Sequence, residues 1–356
     1  MTDFRSLRIF LLLLSAAAIT GCATVSFNEP KSYSETITDT ADTRLSEGVS
    51  RWADTHGGLS GFYPLSQGMD ALGVRLRLAE IAEKSIDLQY FLMKNDTAGL
   101  VMMNALLKAA DRGVRVRFLL DDIFTTAQDR GLLLINQHPN IEVRLFNPVS
   151  RRGFHTLNFV GDFRQANRRM HNKSFTVDNQ ISVVGGRNIA DEYFQLKTGS
   201  VFVDFDVLAL GPIAGEISES FDIYWNHSRA VPMHQIAVNK ANEELETVRA
   251  EVAEEFDGIY DTVYKQALES QLLHDLMADR QPLFAAEARV LSDSPDKLID
   301  ERLAAVAYRV ILNGRGKLEW HGRINDEEVI ETKEPLTSPW LRFKAWFMRI
   351  APESQL

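Results

Sequence analysis

His171, Lys173, Asp178, Gly185, Gly186 and Asn188 are the residues whose types and spacing could do chemistry, and all of them fall in one stretch, residues 168–194. In an extended segment side chains alternate, so His171 and Lys173 project from one face and Asn172 from the other. A nucleophile or acid and a fixed positive charge then share one pocket. A neutral imidazole can attack phosphorus and leave as a phosphohistidine. A lysine can hold the non-bridging oxygens, and an asparagine amide can donate to the same oxygens without a metal. That combination suits phosphodiester chemistry. Any one of these residues alone would read as structural; their fixed spacing inside a strand-turn-strand-helix context reverses that reading.

The elements that must position these residues are visible on both sides. Phe175, Val177, Ile181, Val183 and Val184 flank Asp178-Asn179 and read as two short strands joined by a tight turn. Gly185-Gly186 would let the backbone approach a ligand closely, and Asn188 is expected at the start of a helix, where amide groups favour an anion. Upstream, Leu72, Leu76, Leu78, Ile81 and Ala82 recur at helical spacing in residues 69–85. An α/β alternation follows: strand over 86–93, helix over 98–110, strand over 114–120, helix over 128–137 and strand over 141–146. Beyond the motif, 203–210 reads as a strand and 212–225 as an amphipathic helix with Pro212 in its first turn. Residues 238–277 are expected to be helical and acid-rich, their apolar stripe serving core packing.

The pattern His-x-Lys-x4-Asp-x6-Gly-Gly-x-Asn resembles the signature of the phospholipase D superfamily. Arg169-Met170-His171-Asn172-Lys173, followed by the run from Gly185 to Phe194, resembles its bacterial cardiolipin synthase branch, nearest to the type C enzymes. The resemblance implies an α/β fold, a phospholipase D-like layered mixed sheet flanked by helices. It would comprise one catalytic half over 67–230, a helical segment over 231–298 and a short C-terminal tail over 299–356. His171 would be the nucleophile or its acid partner. Lys173, Asn188, Gly185 and Gly186 would bind the substrate phosphate, and Asp178 would be mainly a local support. Asp206 falls where the family carries an acid that orients the histidine, and Asp204 is an equally visible candidate for that position. No metal and no organic cofactor is implied.

Composition bounds the rest. The chain has 356 residues, 45% of them hydrophobic and 25% charged, with a formal net charge of -10. That balance belongs to a globular protein and argues against a dedicated nucleic-acid binder, whose affinity rests on clustered positive charge. Arg5 and Arg8 precede an apolar run over 9–19, too short to span a bilayer comfortably, which ends in Ile19-Thr20-Gly21-Cys22. Residues 1–22 therefore read as a lipoprotein signal with lipid on the Cys22 sulfur. Cys22 is the only cysteine, so no intramolecular disulfide can form. By resemblance, the absence of Asp after Cys22 places the protein in the bacterial cell envelope, lipid-anchored at the periplasmic face of the outer membrane. Residues 23–66 read as a polar tether. Arg151, Arg152, Arg164, Arg168 and Arg169 stand against the single acid Asp162 in 147–170, either a solvated face or a basic rim for an anionic lipid head group.

Members of this branch carry two copies of the histidine-lysine motif, and this chain has one; neither His274 nor His321 begins a second. The tail resembles the extreme C-terminus of full-length members, as though an internal block were missing near residues 297–303. One histidine can attack phosphorus, but the leaving alcohol needs a second acid. The expected partners are therefore membrane phospholipids such as phosphatidylglycerol, and a second motif from a homodimer or a full-length relative. The leading expectation is a cardiolipin synthase-like phosphatidyltransferase or phospholipase working through a phosphatidyl-histidine. A non-catalytic remnant that binds anionic lipid or a partner, and a homodimeric single-motif phosphodiesterase or nuclease, stay open. Trp340, Phe343, Phe347 and Ile350, with Arg342, Lys344 and Arg349, would suit a helix lying in a membrane interface or one packed on the body.

Overall fold

A computed structural model describes residues 25–122, 129–149, 169–196, 204–236, 245–278 and 283–298, together with short strands at 309–310, 322–324 and 327–329. Cys22, Arg151, Arg152, Arg164, Arg168 and the aromatic tail lie outside the described residues.

The expected tether is much shorter in the structure. Residues 25–40 run as an extended strap along the body, and are followed by helix α1 (Arg44–Thr55) and strand β1 (Ser60–Leu65). Thr43 caps α1 by accepting from the Ser46 amide. The strap was hidden in the sequence because it binds through polar groups: Arg117 Nη1 donates to Ser34 O at 2.8 Å and Arg144 Nη2 to Ser32 O at 2.6 Å.

Helix α2 (Gly68–Ile81), β2 (Ser85–Tyr90), α3 (Thr97–Asp111), β3 (Arg115–Asp121), α4 (Asp129–Ile135) and β4 (Ile141–Phe146) realise the expected alternation. β2, β3 and β4 pair in parallel. Then come the hairpin β5 (Ser174–Val177) and β6 (Ile181–Gly185), β7 (Asp206–Leu210) and helix α5 (Pro212–Asn226). Strand β8 (Ala230–Pro232), helices α6 (Met233–Ile236) and α7 (Leu245–Ile259), a π-helical turn over Tyr260–Tyr264, α8 (Lys265–Leu268) and α9 (Gln271–Met277) lead to β9 (Phe284–Ala286). The stretch 231–298 is thus not purely helical, because β8 and β9 join the sheet.

Among the described residues nine strands form one mixed sheet, in the order β8-β4-β3-β2-β5-β6-β7-β1-β9. Alternation along β3 shows its two faces: Val116, Phe118 and Leu120 enter the large core under α2 and α3, whereas Leu119 belongs with Phe221 and Trp225 of α5 on the other side. α7 packs on α3, and α8 and α9 on α2. On the α5 face Arg117 pairs with Asp87 through two bonds of 2.7 and 2.8 Å, and Asp222 of α5 lies 2.7 Å away. Such a buried charge is tolerable only when paired and hydrogen-bonded, and the strap supplies the remaining acceptors. Among the described residues no helix is long and apolar enough to cross a membrane.

Candidate functional site

The β5–β6 hairpin carries the motif, and its turn is dictated locally. Gln180 N donates to Val177 O at 3.0 Å, and the two central residues, Asp178 and Asn179, have φ of 49° and 54°. Positive φ at both positions is what a primed hairpin turn requires, and Asp and Asn are the side chains that tolerate it. Asp178 is wholly buried, and its carboxylate accepts from the amides of Glu83 (3.0 Å), Lys84 (2.8 Å) and Ser85 (2.9 Å). It therefore ties the turn to the start of β2, at the opposite end of β5 from His171.

His171 and Lys173 stand where β5 begins, next to the carboxyl end of β2. The imidazole is exposed, while Lys173 is only 7% exposed. Their side chains meet as alternation requires, with Lys173 Nζ 3.2 Å from His171 Nδ1 and donating to His171 O at 2.8 Å. Phe91, the residue after β2, lies beside both: its ring centroid is 4.8 Å from that of His171 and 5.6 Å from Lys173 Nζ. Burial lowers the Lys173 pKa to about 8, although Asp204, Asp206 and Asp121 pull it upward.

Gly185 lies across from Lys173, its amide donating to Lys173 O at 3.4 Å. The close approach made by Gly185 and Gly186 is to β7. A Cβ at Gly185 would come within 2.2 Å of Asp206 Oδ1 and 2.5 Å of Phe205 O, and one at Gly186 within 2.3 Å of Asp204 Oδ1. Two glycines therefore let two acids sit directly behind the lysine.

Those acids differ. The wholly buried carboxylate of Asp206 is taken up by guanidiniums: Arg75 Nη2 at 2.9 Å and Arg187 Nη1 at 3.4 Å, with the Arg187 amide donating to Oδ1 at 3.2 Å. Arg75 in turn donates to the Tyr90 hydroxyl at 2.8 Å. Asp204 is half-buried, and burial followed by the charge of Asp206 raises its pKa, opposed by Arg187 and Lys173. Of the two acids left open by the sequence, Asp204 is the one whose charge acts most on Lys173.

No α-helix begins at Asn188; residues 191–195 form turns. The polar side chains there bond to other segments. Asn188 Oδ1 accepts from Leu92 N at 3.1 Å, and Asp191 Oδ1 accepts from Ala98 N at 2.8 Å in the first turn of α3. Ile189 bridges Met93 in parallel, which locks this segment to the exit of β2. Asn188 is 2% exposed, and with its oxygen on Leu92 the NH2 is the half left to donate. Arg169 does not join a solvated rim: its guanidinium lies 3.4 Å from Asp121 and donates to Asn147 O at 3.2 Å.

Sequence reasoning missed Phe91, Asp121, Arg75 and Arg187. For Phe91 and Asp121 a signal existed, since each stands at the carboxyl end of a parallel strand, where open α/β sheets place their sites. Among the described residues, no group of His, Cys, Asp and Glu side chains could hold a metal ion.

The fold is that of the phospholipase D superfamily. Within it the chain belongs to the cardiolipin synthase branch, residues 76–225 matching the family described as Cardiolipin synthase, PLD-like domain. Cardiolipin synthase C of Escherichia coli (strain K12) is 40% identical over 254 residues, 71% of this chain and 54% of that protein. An uncharacterized protein of Helicobacter pylori (strain ATCC 700392 / 26695) is 33% identical over 298 residues, 82% of this chain and 59% of that one. The chain thus spans little more than half the length of these curated relatives. A looser likeness joins it to NucT from Helicobacter pylori, with a TM-score of 0.35 and 17% identity over 49% of this chain and 98% of the other, too loose to bear on function.

Proposed function

We propose that the protein acts on phosphodiester bonds of glycerophospholipids, as a phosphatidyltransferase or phospholipase, through a phosphatidyl-histidine at His171. The observation that carries the reading is the contact between an exposed imidazole and a buried lysine, 3.2 Å apart. While Lys173 donates to Nδ1, the neutral ring keeps its proton on Nε2. A phosphate draws the ammonium to its own oxygens, Nδ1 takes the ring proton, and Nε2 becomes free to attack. The Nε2–P bond forms as the P–O bond to the leaving alcohol breaks, and that alcohol takes a proton from an acid outside this motif. An acceptor hydroxyl then attacks phosphorus, loses its proton to the same group and releases the histidine.

The second acid is supplied by another copy of the motif, in a homodimer or a full-length relative, and a two-fold interface is the commonest way to repeat a surface. Lipid on Cys22 would hold the site at the membrane, and Cys22→Ala should leave the protein unlabelled by a radioactive fatty acid. The reaction itself is tested with phosphatidylglycerol labelled at phosphorus. Wild type should trap an acid-labile phosphoenzyme that His171→Ala loses together with turnover. Full activity in a folded His171→Ala protein would overturn the reading. Vesicle binding without turnover would favour a lipid-binding role.

A further inference from the structure

A second buried carboxylate stands where the chain enters β5. Asp121 is the last residue of β3 and is 0% exposed. Its Oδ2 accepts from Met170 N at 2.9 Å, and its Oδ1 lies 3.4 Å from Arg169 Nη1. In the sheet β2 separates β3 from β5, so the segment leading to His171 must cross the end of β2. Asp121 holds it at that crossing. Met170 is wholly buried there, with Gln89 Nε2 of β2 donating to its sulfur at 2.9 Å. Consecutive Cα atoms are about 3.8 Å apart, so fixing the Met170 amide leaves His171 little freedom. Asp122 next door makes a different contact, accepting from Val149 N at 2.7 Å.

We infer that Asp121 is a positioning residue for the reacting pair: it pins the backbone ahead of His171 and supplies negative charge behind Lys173. The inference rests on the reading of His171 and Lys173 given above. It parallels Asp178 at the other end of β5: a buried carboxylate takes one backbone amide here and three there. Asp121 is among the three acids that oppose the desolvation of Lys173, together with Asp204 and Asp206, and Asp122 is not among them.

The test compares Asp121→Asn with Asp122→Asn. Asparagine keeps an acceptor oxygen for the Met170 amide and removes the charge. Each full-length protein is titrated by NMR, following the Lys173 side chain and the His171 ring, assigned with Lys173→Met and His171→Ala. Asp121→Asn should lower the Lys173 pKa below its wild-type value of about 8 and move the His171 ring signals, while Asp122→Asn leaves both unchanged. In the phospholipid assay, Asp121→Ala, which also removes the acceptor of the Met170 amide, should lose about 10- to 100-fold in kcat with little change in KM, as displacement of a reacting group does. A folded Asp121→Asn protein with wild-type Lys173 and His171 titrations, or a folded Asp121→Ala protein with wild-type kcat, overturns the inference. Because titration needs no turnover, it also separates failure here from failure of the proposed reaction. Should the variant not fold, the wild-type Met170 amide decides the pin: slow exchange supports it, and exchange as fast as a loop amide overturns it.

Discussion

At its turn end β5 is closed by Asp178, whose buried carboxylate takes three backbone amides, whereas at its opening end Lys173 is almost as buried and its ammonium meets a carbonyl, an imidazole and the face of Phe91. The first charge is matched by donors fixed in the backbone. The second has its acids held behind it, engaged elsewhere or only half-buried, so burial wins and the cation is weakened. A charge matched in this way stabilises the fold, while a charge left under-matched is available to a ligand. The two ends should therefore respond oppositely to substitution.

The largest expected effect is on stability at the closed end. Asp178→Ala removes three hydrogen bonds to a charged acceptor and places a β-carbon residue without a compensating side chain at φ 49°. It should cost about 3–5 kcal/mol, read by urea denaturation. Asp178→Asn keeps the turn preference and one acceptor, and should cost less than half as much. Equal losses would mean that the charge, rather than the turn, decides stability there.

At the open end the loss should fall on rate. Lys173→Met should leave stability equal or higher, since a weakly paired buried cation is replaced by an apolar chain, yet lower turnover by about 10²–10³-fold, as removal of one oxyanion contact does. The same residue gives opposite signs with pH. Its folded pKa of about 8 lies below the unfolded value of 10.5, so between those values the unfolded chain binds more protons and the residue's contribution to stability rises with pH. Activity that needs the ammonium falls as pH rises through about 8. Lys173→Met should abolish both slopes, measured as melting temperature and rate from pH 7 to 11.

The comparison also explains what could be read in the sequence. The hairpin was legible because Phe175, Val177, Ile181 and Val183 alternate around Asp178-Asn179, and a period of two with αL-tolerant residues between is a local signal. The strap and β1 were not. Ser32, Ser34 and Thr36 are polar residues whose partners, Arg117, Arg144 and Asp222, lie far along the chain, so neither side looks buried on its own. Asn188 misled in the opposite sense: it was expected at the start of a helix, but its side chain receives the Leu92 amide and no helix begins there. Local chemistry was correct and the partner was non-local. The same holds for Asp206, whose two arginines come from α2 and from the motif itself.

The smallest expected effect also belongs to the open end, at Phe91. Its ring lies at 50° to that of His171 with centroids 4.8 Å apart, and Lys173 Nζ is 5.6 Å from its centre. A tilted ring pair and a cation over an aromatic face each contribute about 0.5–1 kcal/mol beyond packing. Phe91→Leu keeps most of the apolar volume and removes the quadrupole, so it should slow turnover about three- to tenfold, the rate equivalent of that energy. Phe91→Tyr should be nearly silent. The aromatic face also favours the charged lysine, so Phe91→Leu should lower the Lys173 pKa from about 8 and move the alkaline limb of the rate profile to lower pH. An unchanged limb with a slower rate would assign Phe91 to the imidazole alone. An unchanged rate as well would reduce it to packing, leaving burial and the acids behind it as the whole account of the lysine's weakened charge.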